Sequence, residues 1–165
     1  MSLKDTYNIK LDWRDITGFL SKLKERGIAL NYSTFVGQGT IRGAALAPYG
    51  LLGKGKPHPR SYGTFPRVLG KYIREEKILP LKDMLKKMTS IPAKNFGFIS
   101  HGVLQVDNFA DIVIFDEVKV IDKATWKNPH QYPEGIEYVI VNGGVVIQSG
   151  EHTGNLGGKI LRCSP

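Results

Sequence analysis

Apolar residues recur at helical spacing through the first hundred positions and alternate with polar ones afterwards. Trp13, Ile16, Phe19, Leu20 and Leu23 form one stripe, which predicts a helix over 12–26. Asp12 is placed to cap it, because its carboxylate can accept the free N–H groups of the first turn. Gly27 is the expected stop, since glycine tolerates the left-handed conformation that ends helices. Ile28 to Val36 is short, mostly apolar and bounded by glycine, so it predicts a buried strand. Helix, glycine and buried strand together are one half of a repeating α/β unit. Residues 37–57 lose all periodicity and are punctuated by Gly37, Gly43, Gly50, Gly53, Pro48 and Pro57. A second helix is expected over Thr64–Lys77, capped by Thr64, with Pro66 in its first turn and Phe65, Val68, Leu69, Tyr72 and Ile73 as its buried stripe. A third is expected over Leu81–Met88, and a short fourth from Pro92 to Gly97. From Gly102 the period is two: Val103–Val106 and Ala110–Phe115 read as strands. Ile136–Val141 and Val145–Gln148 follow, joined at Asn142-Gly143, the strongest short hairpin signal.

Composition narrows the classes. With 41% hydrophobic and 23% charged residues in 165, the chain has the make-up of a soluble globular protein. No apolar run approaches the roughly 20 residues of a membrane span. The start, Met1-Ser2-Leu3-Lys4-Asp5, has no apolar signal core, and the single Cys163 excludes an internal disulfide. A cytoplasmic location and no membrane partner are the expectations.

The net charge of +8 is uneven, with 18 Lys+Arg against 7 Asp+Glu in residues 1–100 and 5 against 8 afterwards. Lys22, Lys24, Lys82, Lys86 and Lys87 fall on polar faces of the expected helices, which is the pattern of a solvated surface. No nucleic-acid motif accompanies them, so no nucleic-acid partner is expected. Gly53-Lys54-Gly55-Lys56 lacks the Gly-Lys-Ser/Thr ending of a phosphate loop and reads as a basic loop.

Two irregular segments carry the most specific information. One is His58-Pro59-Arg60-Ser61-Tyr62-Gly63-Thr64-Phe65-Pro66-Arg67-Val68-Leu69-Gly70, and the other is Pro129-His130-Gln131-Tyr132-Pro133-Glu134-Gly135. With Met88-Thr89-Ser90-Ile91-Pro92-Ala93, the strand Ala110–Asp116, the hairpin Pro133–Gly143 and the tail Gly150–Gly154, they resemble the C-terminal part of the N-acyl-D-amino-acid deacylases. These are D-aminoacylases, metal hydrolases of the amidohydrolase superfamily. The strand motif alone is only moderately specific; the combination over 57–161 is highly specific. Residues 12–45 resemble an early barrel helix and strand of the same family, with Gln38 where histidine is usual. In the family these two blocks are separated by most of a (β/α)₈ barrel, whereas here Ala44–Gly50 joins them. The arrangement resembles a family member with a missing N-terminus and a large internal deletion. A remnant gene, a degraded paralogue and a mispredicted splice would each produce it.

The resemblance implies a hydrolysis in which bound zinc makes water nucleophilic near neutral pH. It also implies a His-x-His pair, further histidines, a bridging Cys or carboxylate, and an aspartate as general acid/base. This chain has His58, His101, His130 and His152, with no His-x-His pair, and all four lie in loops flanked by glycine or proline. Cys163 lies at the extreme C-terminal end and is not expected to be a ligand. Tyr49 stands where the aspartate would be, and a phenol with an ordinary pKa of about 10 is a poor base at neutral pH. No catalytic residue, no metal site and no cofactor are therefore expected in this chain, zinc belonging to the full-length family. What the resemblance leaves is a substrate end: Arg60, with His58 and Tyr62, facing a substrate α-carboxylate. A guanidinium suits that role because its planar fork matches a carboxylate.

The expected fold class is α+β: helices and one strand left over from a (β/α)₈ amidohydrolase barrel, then a small antiparallel β-sandwich sheet. The expected divisions are a barrel-derived helix–strand segment at 1–45, a Gly/Pro-rich junction at 46–57, a helical segment at 58–99 and the sheet at 100–165. The function implied is that of a D-aminoacylase-type hydrolase of N-acyl-D-amino acids, truncated and inactive alone. The alternative is a non-catalytic module that binds a protein partner or an intact family subunit. The small N-acyl amino acid carboxylate is expected to bind weakly at most. Unpaired strand edges predict self-association, or docking of Leu104, Ile112, Ile114, Val139 and Val141 against the helices.

Overall fold

A computed structural model describes residues 15–31 and 59–162. Helix α1 spans Ile16–Arg26, and its cap is Asp15, whose Oδ1 accepts the Gly18 N–H at 2.7 Å. The cap is thus not Asp12, which lies outside the described residues. Lys24 and Arg26 fill the last turn, where cations complement the exposed carbonyls. Gly27 ends the helix as expected, with φ +74°. The expected strand from Ile28 is reduced, over its described part, to one parallel bridge between Ile28 and Gly157. Gly158 N–H donates to the Ile28 carbonyl at 2.7 Å, and Leu30 is exposed rather than buried. The remainder, 32–36, lies outside the described residues.

The second helix begins four residues before Thr64. Helix α2 runs Arg60–Arg67 with Pro59 at its N-cap, and Pro66 sits inside it rather than in the first turn. The Thr64 hydroxyl donates back to the Arg60 carbonyl at 2.7 Å instead of capping. Pro66 has no N–H for the helical ladder. Two residues later the helix widens to a π-helical stretch, Val68–Glu75, continued by Glu76 N–H bonding the Lys71 carbonyl at 2.9 Å. In this wider winding Leu69, Gly70 and Ile73 turn inward and Tyr72 is exposed; Phe65, in α2 before it, is exposed as well, so both depart from the expected buried stripe. Helix α3 spans Leu81–Met88 as expected, and α4 spans Ser90–Asn95, two residues earlier than expected.

Strands β1 (Ile112–Phe115), β2 (Ile136–Val141), β3 (Gly144–Gln148) and β4 (Glu151–His152) form one antiparallel sheet in that order. The β2–β3 hairpin turns through Asn142 and Gly143 at φ +50° and +82°, so both central residues are left-handed, as a type I′ turn requires. Ser149 and Gly150 make a second such turn into β4, a strand with no counterpart in the periodicity. Val103–Val106 is not a strand: Leu104 is 73% exposed, and the segment is irregular. Of the five residues expected to dock against the helices, Val141 is buried while Leu104 and Ile114 face solvent.

Between β1 and β2 the chain makes an excursion over 116–135. Asp116 Oδ1 accepts the N–H groups of Val118 and Lys119 at 2.9 and 3.2 Å, and Lys119 Nζ lies 3.0 Å from Asp116 Oδ2. The Lys119 ammonium and the Val118 N–H hold the Asp116 carboxyl below its ordinary value, and Asp116 in turn raises Lys119. Ile121 and Glu134 exchange backbone hydrogen bonds of 3.3 and 3.1 Å, which gives the excursion a short antiparallel rung. Val120, 1% exposed, packs at its centre. A Cβ on Gly70 would strike the Val120 carbonyl, and one on Gly63 would lie 2.6 Å from Asp122 Cβ. The helical face carrying these two glycines therefore lies flush on residues 120–122.

Candidate functional site

The two irregular segments meet. Tyr62, in the first turn of α2, places its hydroxyl 2.9 Å from His130 Nδ1. The two rings are edge-on at 5.4 Å and 75°, and Tyr132 closes the cluster edge-on to Tyr62 at 6.2 Å. The loop that carries His130 is held by its own backbone. Thr125 N–H donates to the Asn128 carbonyl at 3.0 Å, and Gln131 Nε2 donates to the carbonyls of Lys123 and Asn128 at 2.7 and 3.0 Å. Pro129 is fully buried beneath it, while Tyr132 is 80% exposed. On the next turn of α2, Arg67 Nε donates to Asp122 Oδ2 at 3.0 Å, the Asp122 side chain being 6% exposed. The Tyr62–His130 contact and the Arg67–Asp122 ion pair thus tie helix α2 to the excursion.

Arg60 opens α2 and is exposed. It stands two positions before Tyr62, about 200° around the helix axis. Residues so spaced do not share a face, so Arg60 departs from a different side than the aromatic cluster. His58 lies outside the described residues. Sequence reasoning named Tyr62 but not His130 as its partner; the signal was the second irregular segment itself, whose histidine has no place in a strand or helix.

A second polar cluster was not foreseen. Asp111 Oδ2 lies 2.8 Å from His101 Nδ1 and accepts Asn31 Nδ2 at 2.8 Å, while Oδ1 accepts the Asn142 N–H at 2.9 Å. His101 stacks on Phe109 at 4.6 Å, and Lys159 Nζ lies 5.5 Å from the centre of that ring. A shallow cleft of about 260 Å³ lies on another face, floored by Leu69, Ile73, Phe115 and Val120, with Arg74 and Lys77 among its walls. The Arg74 guanidinium is engaged there, donating to the Val120 and Glu117 carbonyls at 2.7 and 3.3 Å.

The histidines are dispersed. His101 is held by Asp111, His130 by Tyr62, and His152 Nδ1 accepts the Gly154 N–H at 2.8 Å. Among the described residues no three His, Cys, Asp or Glu side chains gather as metal ligands would. A hydrolytic zinc needs three or four converging ligands, so the described residues do not fit one. Among those residues no helix is long and apolar enough to cross a membrane.

A model described as "Amidohydrolase family" matches residues 52–147. The chain belongs to the amidohydrolase family. Among curated relatives, a D-aminoacylase of Alcaligenes xylosoxydans xylosoxydans is 45% identical over 112 residues, 68% of this chain and 23% of the relative. An N-acyl-D-glutamate deacylase of the same organism is 44% identical over 113 residues, again 68% and 23%. This amidohydrolase chain therefore spans about a quarter of the length of those relatives. Among solved structures, a D-aminoacylase described as defining a novel subset of amidohydrolases superposes with a TM-score of 0.63 at 42% identity, over 64% of this chain and 22% of that one. The N-acyl-D-glutamate deacylase from Bordetella bronchiseptica, complexed with zinc and a phosphonate inhibitor, superposes with a TM-score of 0.60 at 43% identity and the same coverage. The similarity thus extends to three-dimensional structure in an antiparallel sheet with flanking helices.

Proposed function

We propose that this chain supplies the C-terminal part of a D-aminoacylase-type amidohydrolase, which cleaves the C–N amide bond of N-acyl-D-amino acids, and that these 165 residues do not cleave it by themselves. The observation that carries the reading is the 45% identity over 112 residues to a D-aminoacylase, beside a family match over residues 52–147 that takes in both irregular segments and the hairpin region of the family pattern. The inactivity follows from the residue types available. Tyr49 and Gln38 replace the expected aspartate and histidine, and the described histidines are each engaged separately.

In this reading α1 and the residues after it derive from a (β/α)₈ barrel, 46–57 is the junction, 58–99 is the helical segment of the barrel mouth, and 100–165 is one part of a small β-sandwich. Arg60, with His58 and Tyr62 in the same loop–helix segment, retains a substrate role: its guanidinium receives the α-carboxylate of an N-acyl amino acid. A single pair at an exposed site is strongly screened, so binding is millimolar at best and salt-sensitive. Release of D-methionine from N-acetyl-D-methionine by the purified protein, with stoichiometric zinc, would overturn the inactivity. For Arg60, N-acetyl-D-amino acids are titrated by NMR at low and high salt. Shifts near residues 59–63 are expected, lost in Arg60→Ala and reduced in Arg60→Lys; identical shifts in Arg60→Ala would remove the role.

The exposed apolar residues favour a second reading, a non-catalytic module for a protein partner or an intact family subunit. Val113 and Ile114 are adjacent on β1, so they point to opposite faces, and both are exposed. Self-association through the β1 edge is the simplest form of this reading, and light scattering at two protein concentrations distinguishes it from a monomer.

A further inference from the structure

Asn142 joins four separate stretches of chain. Its backbone N–H donates to Asp111 Oδ1 at 2.9 Å, and its Nδ2 donates to Asn31 Oδ1 and to the Gly157 carbonyl, both at 2.8 Å. Asn31 Oδ1 also accepts the Lys159 N–H at 2.9 Å. The Asn142 Oδ1 is buried and has no hydrogen-bond partner. Asn142 is followed by Gly143, the only Asn-Gly pair in the sequence. A glycine nitrogen is unshielded by any Cβ on its own residue, so it can approach the side-chain carbonyl carbon of the asparagine before it. We propose that Asn142 is a deamidation site held shut by the docking of Asn31 and Gly157, and that its conversion to aspartate or isoaspartate releases residues 28–31 from the sheet.

The chemistry needs only water and base. The Gly143 nitrogen gives its proton to solvent base and attacks Asn142 Cγ, forming a C–N bond. The Cγ–Nδ2 bond then breaks, and ammonia leaves after taking up a proton from water. Water opens the resulting succinimide at either carbonyl, giving aspartate or isoaspartate, with no change of oxidation state.

The folded arrangement opposes each part of this. Gly143 N–H donates to the Ala110 carbonyl at 3.1 Å, which aims the nitrogen at the sheet. Two acceptors pin Nδ2, so the amide cannot rotate into the attack geometry. The Asp111 carboxylate, bonded to the adjacent N–H, disfavours the negative charge that develops during attack. After reaction the balance reverses. A carboxylate has no hydrogen to donate, so its oxygens would face the Asn31 and Gly157 carbonyl oxygens in a partly buried site, near a second carboxylate. Unsatisfied buried charge is costly, and the docked segment is the part free to leave.

The test incubates the purified full chain in mildly alkaline buffer, folded and in urea, and follows the Asn142 peptide by mass spectrometry with isoaspartate detection. Conversion is expected to be at least about tenfold faster in urea, since several hydrogen bonds must open in the folded state. Asn31→Ala, folded, is expected to convert about fivefold to tenfold faster than the parent, the effect of losing one such bond. Asn142→Asp, made directly, should raise amide exchange at residues 28–31 and 157–159. Equal rates for the folded and urea-treated parent would overturn the proposal, and that comparison stands even if Asn31→Ala does not fold. An Asn31→Ala rate equal to the parent's would show that docking is not the gate. Unchanged exchange in Asn142→Asp would remove the release.

Discussion

Replacing Gly70 by alanine tests whether the helix–excursion contact organises this chain. The new Cβ would lie 2.6 Å from Ile121 Cδ1 and 3.2 Å from Ile121 Cα, and would strike the Val120 carbonyl oxygen. The Ile121 side chain can turn away at little cost; the carbonyl cannot. It accepts Arg74 Nη1 at 2.7 Å, and its neighbour Ile121 is bonded on both backbone groups to Glu134. Two effects compete. Alanine is favoured over glycine in a helix by about 1 kcal/mol. Overpacking a tight contact costs about 1–3 kcal/mol, and weakening a charge-assisted hydrogen bond costs about 1.5–3 kcal/mol more. The steric side wins, with a net loss of about 2 kcal/mol. For a chain of this size that is a fall in Tm of roughly 4–8 °C. Urea unfolding followed by far-UV circular dichroism measures it, with an unchanged m-value expected. Gly144→Ala is the control: its nearest neighbour is the movable Asn155 amide at 2.5 Å, so a change within about 0.5 kcal/mol is expected. A Gly70→Ala protein as stable as the parent, or a Gly144→Ala protein equally damaged, would refute the reasoning.

Asp111→Ala should cost about 2–3 kcal/mol, because it strands the Asn31 and Asn142 donors and the His101 ring together. Asp111→Asn should cost less, and urea unfolding of both variants checks the order. The Asp116–Lys119 pair predicts a pH dependence at both extremes. Asp116 is held below its ordinary 3.8, so its contribution is present above that pH and is lost as pH falls through the folded value. Lys119 is held above its ordinary 10.5, so its contribution is present below that pH and is lost as pH rises through the folded value. Asp116→Asn should flatten stability in both ranges at low salt and change it little at high salt, since the pair is on the surface.

Periodicity found the elements whose burial is one-sided. Helix α3 and the β2–β3 hairpin lie where their patterns put them, because α3 turns Leu81, Met84, Leu85 and Met88 to one half-buried face and the Asn-Gly turn joins the paired strands. It failed where a contact with a distant segment decides. The pattern puts Pro66 in a first turn, but α2 starts at Arg60, where Gly63 lies against Asp122 and Tyr62 reaches His130. Val103–Val106 is apolar enough to read as a strand yet finds no ladder, and the Gly102 turn, whose Cβ would meet Ala93 Cβ at 2.6 Å, ties its start to α4 instead. The Ser149-Gly150 turn was readable as a hairpin signal, but two residues of β4 are too few to show a period.

The family resemblance and the periodicity drew on different residues. Periodicity uses apolar side chains, which many sequences could supply. The resemblance rests on Gly63, Gly70, Asp111, Gly135 and the Tyr62–His130 segments, which local pattern leaves unexplained, and on Asn142, which it explains only as a turn. Each has a distinct physical task. Gly63 and Gly70 admit close backbone approach, and Gly135 turns at φ +77° with Val120 N where its Cβ would go, 2.5 Å away. Asp111 accepts from the Asn31 side chain and the Asn142 N–H, and the Asn142 side chain donates to the Gly157 carbonyl. These tasks are all positional: they hold helix α2, the excursion and the sheet edge at fixed distances, without regard to what chemistry follows. That is why similarity to a D-aminoacylase can be recognisable in a chain whose described histidines are held apart. The residues that make the family legible here build the scaffold, and zinc-dependent hydrolysis needs converging ligands that the described residues do not bring together.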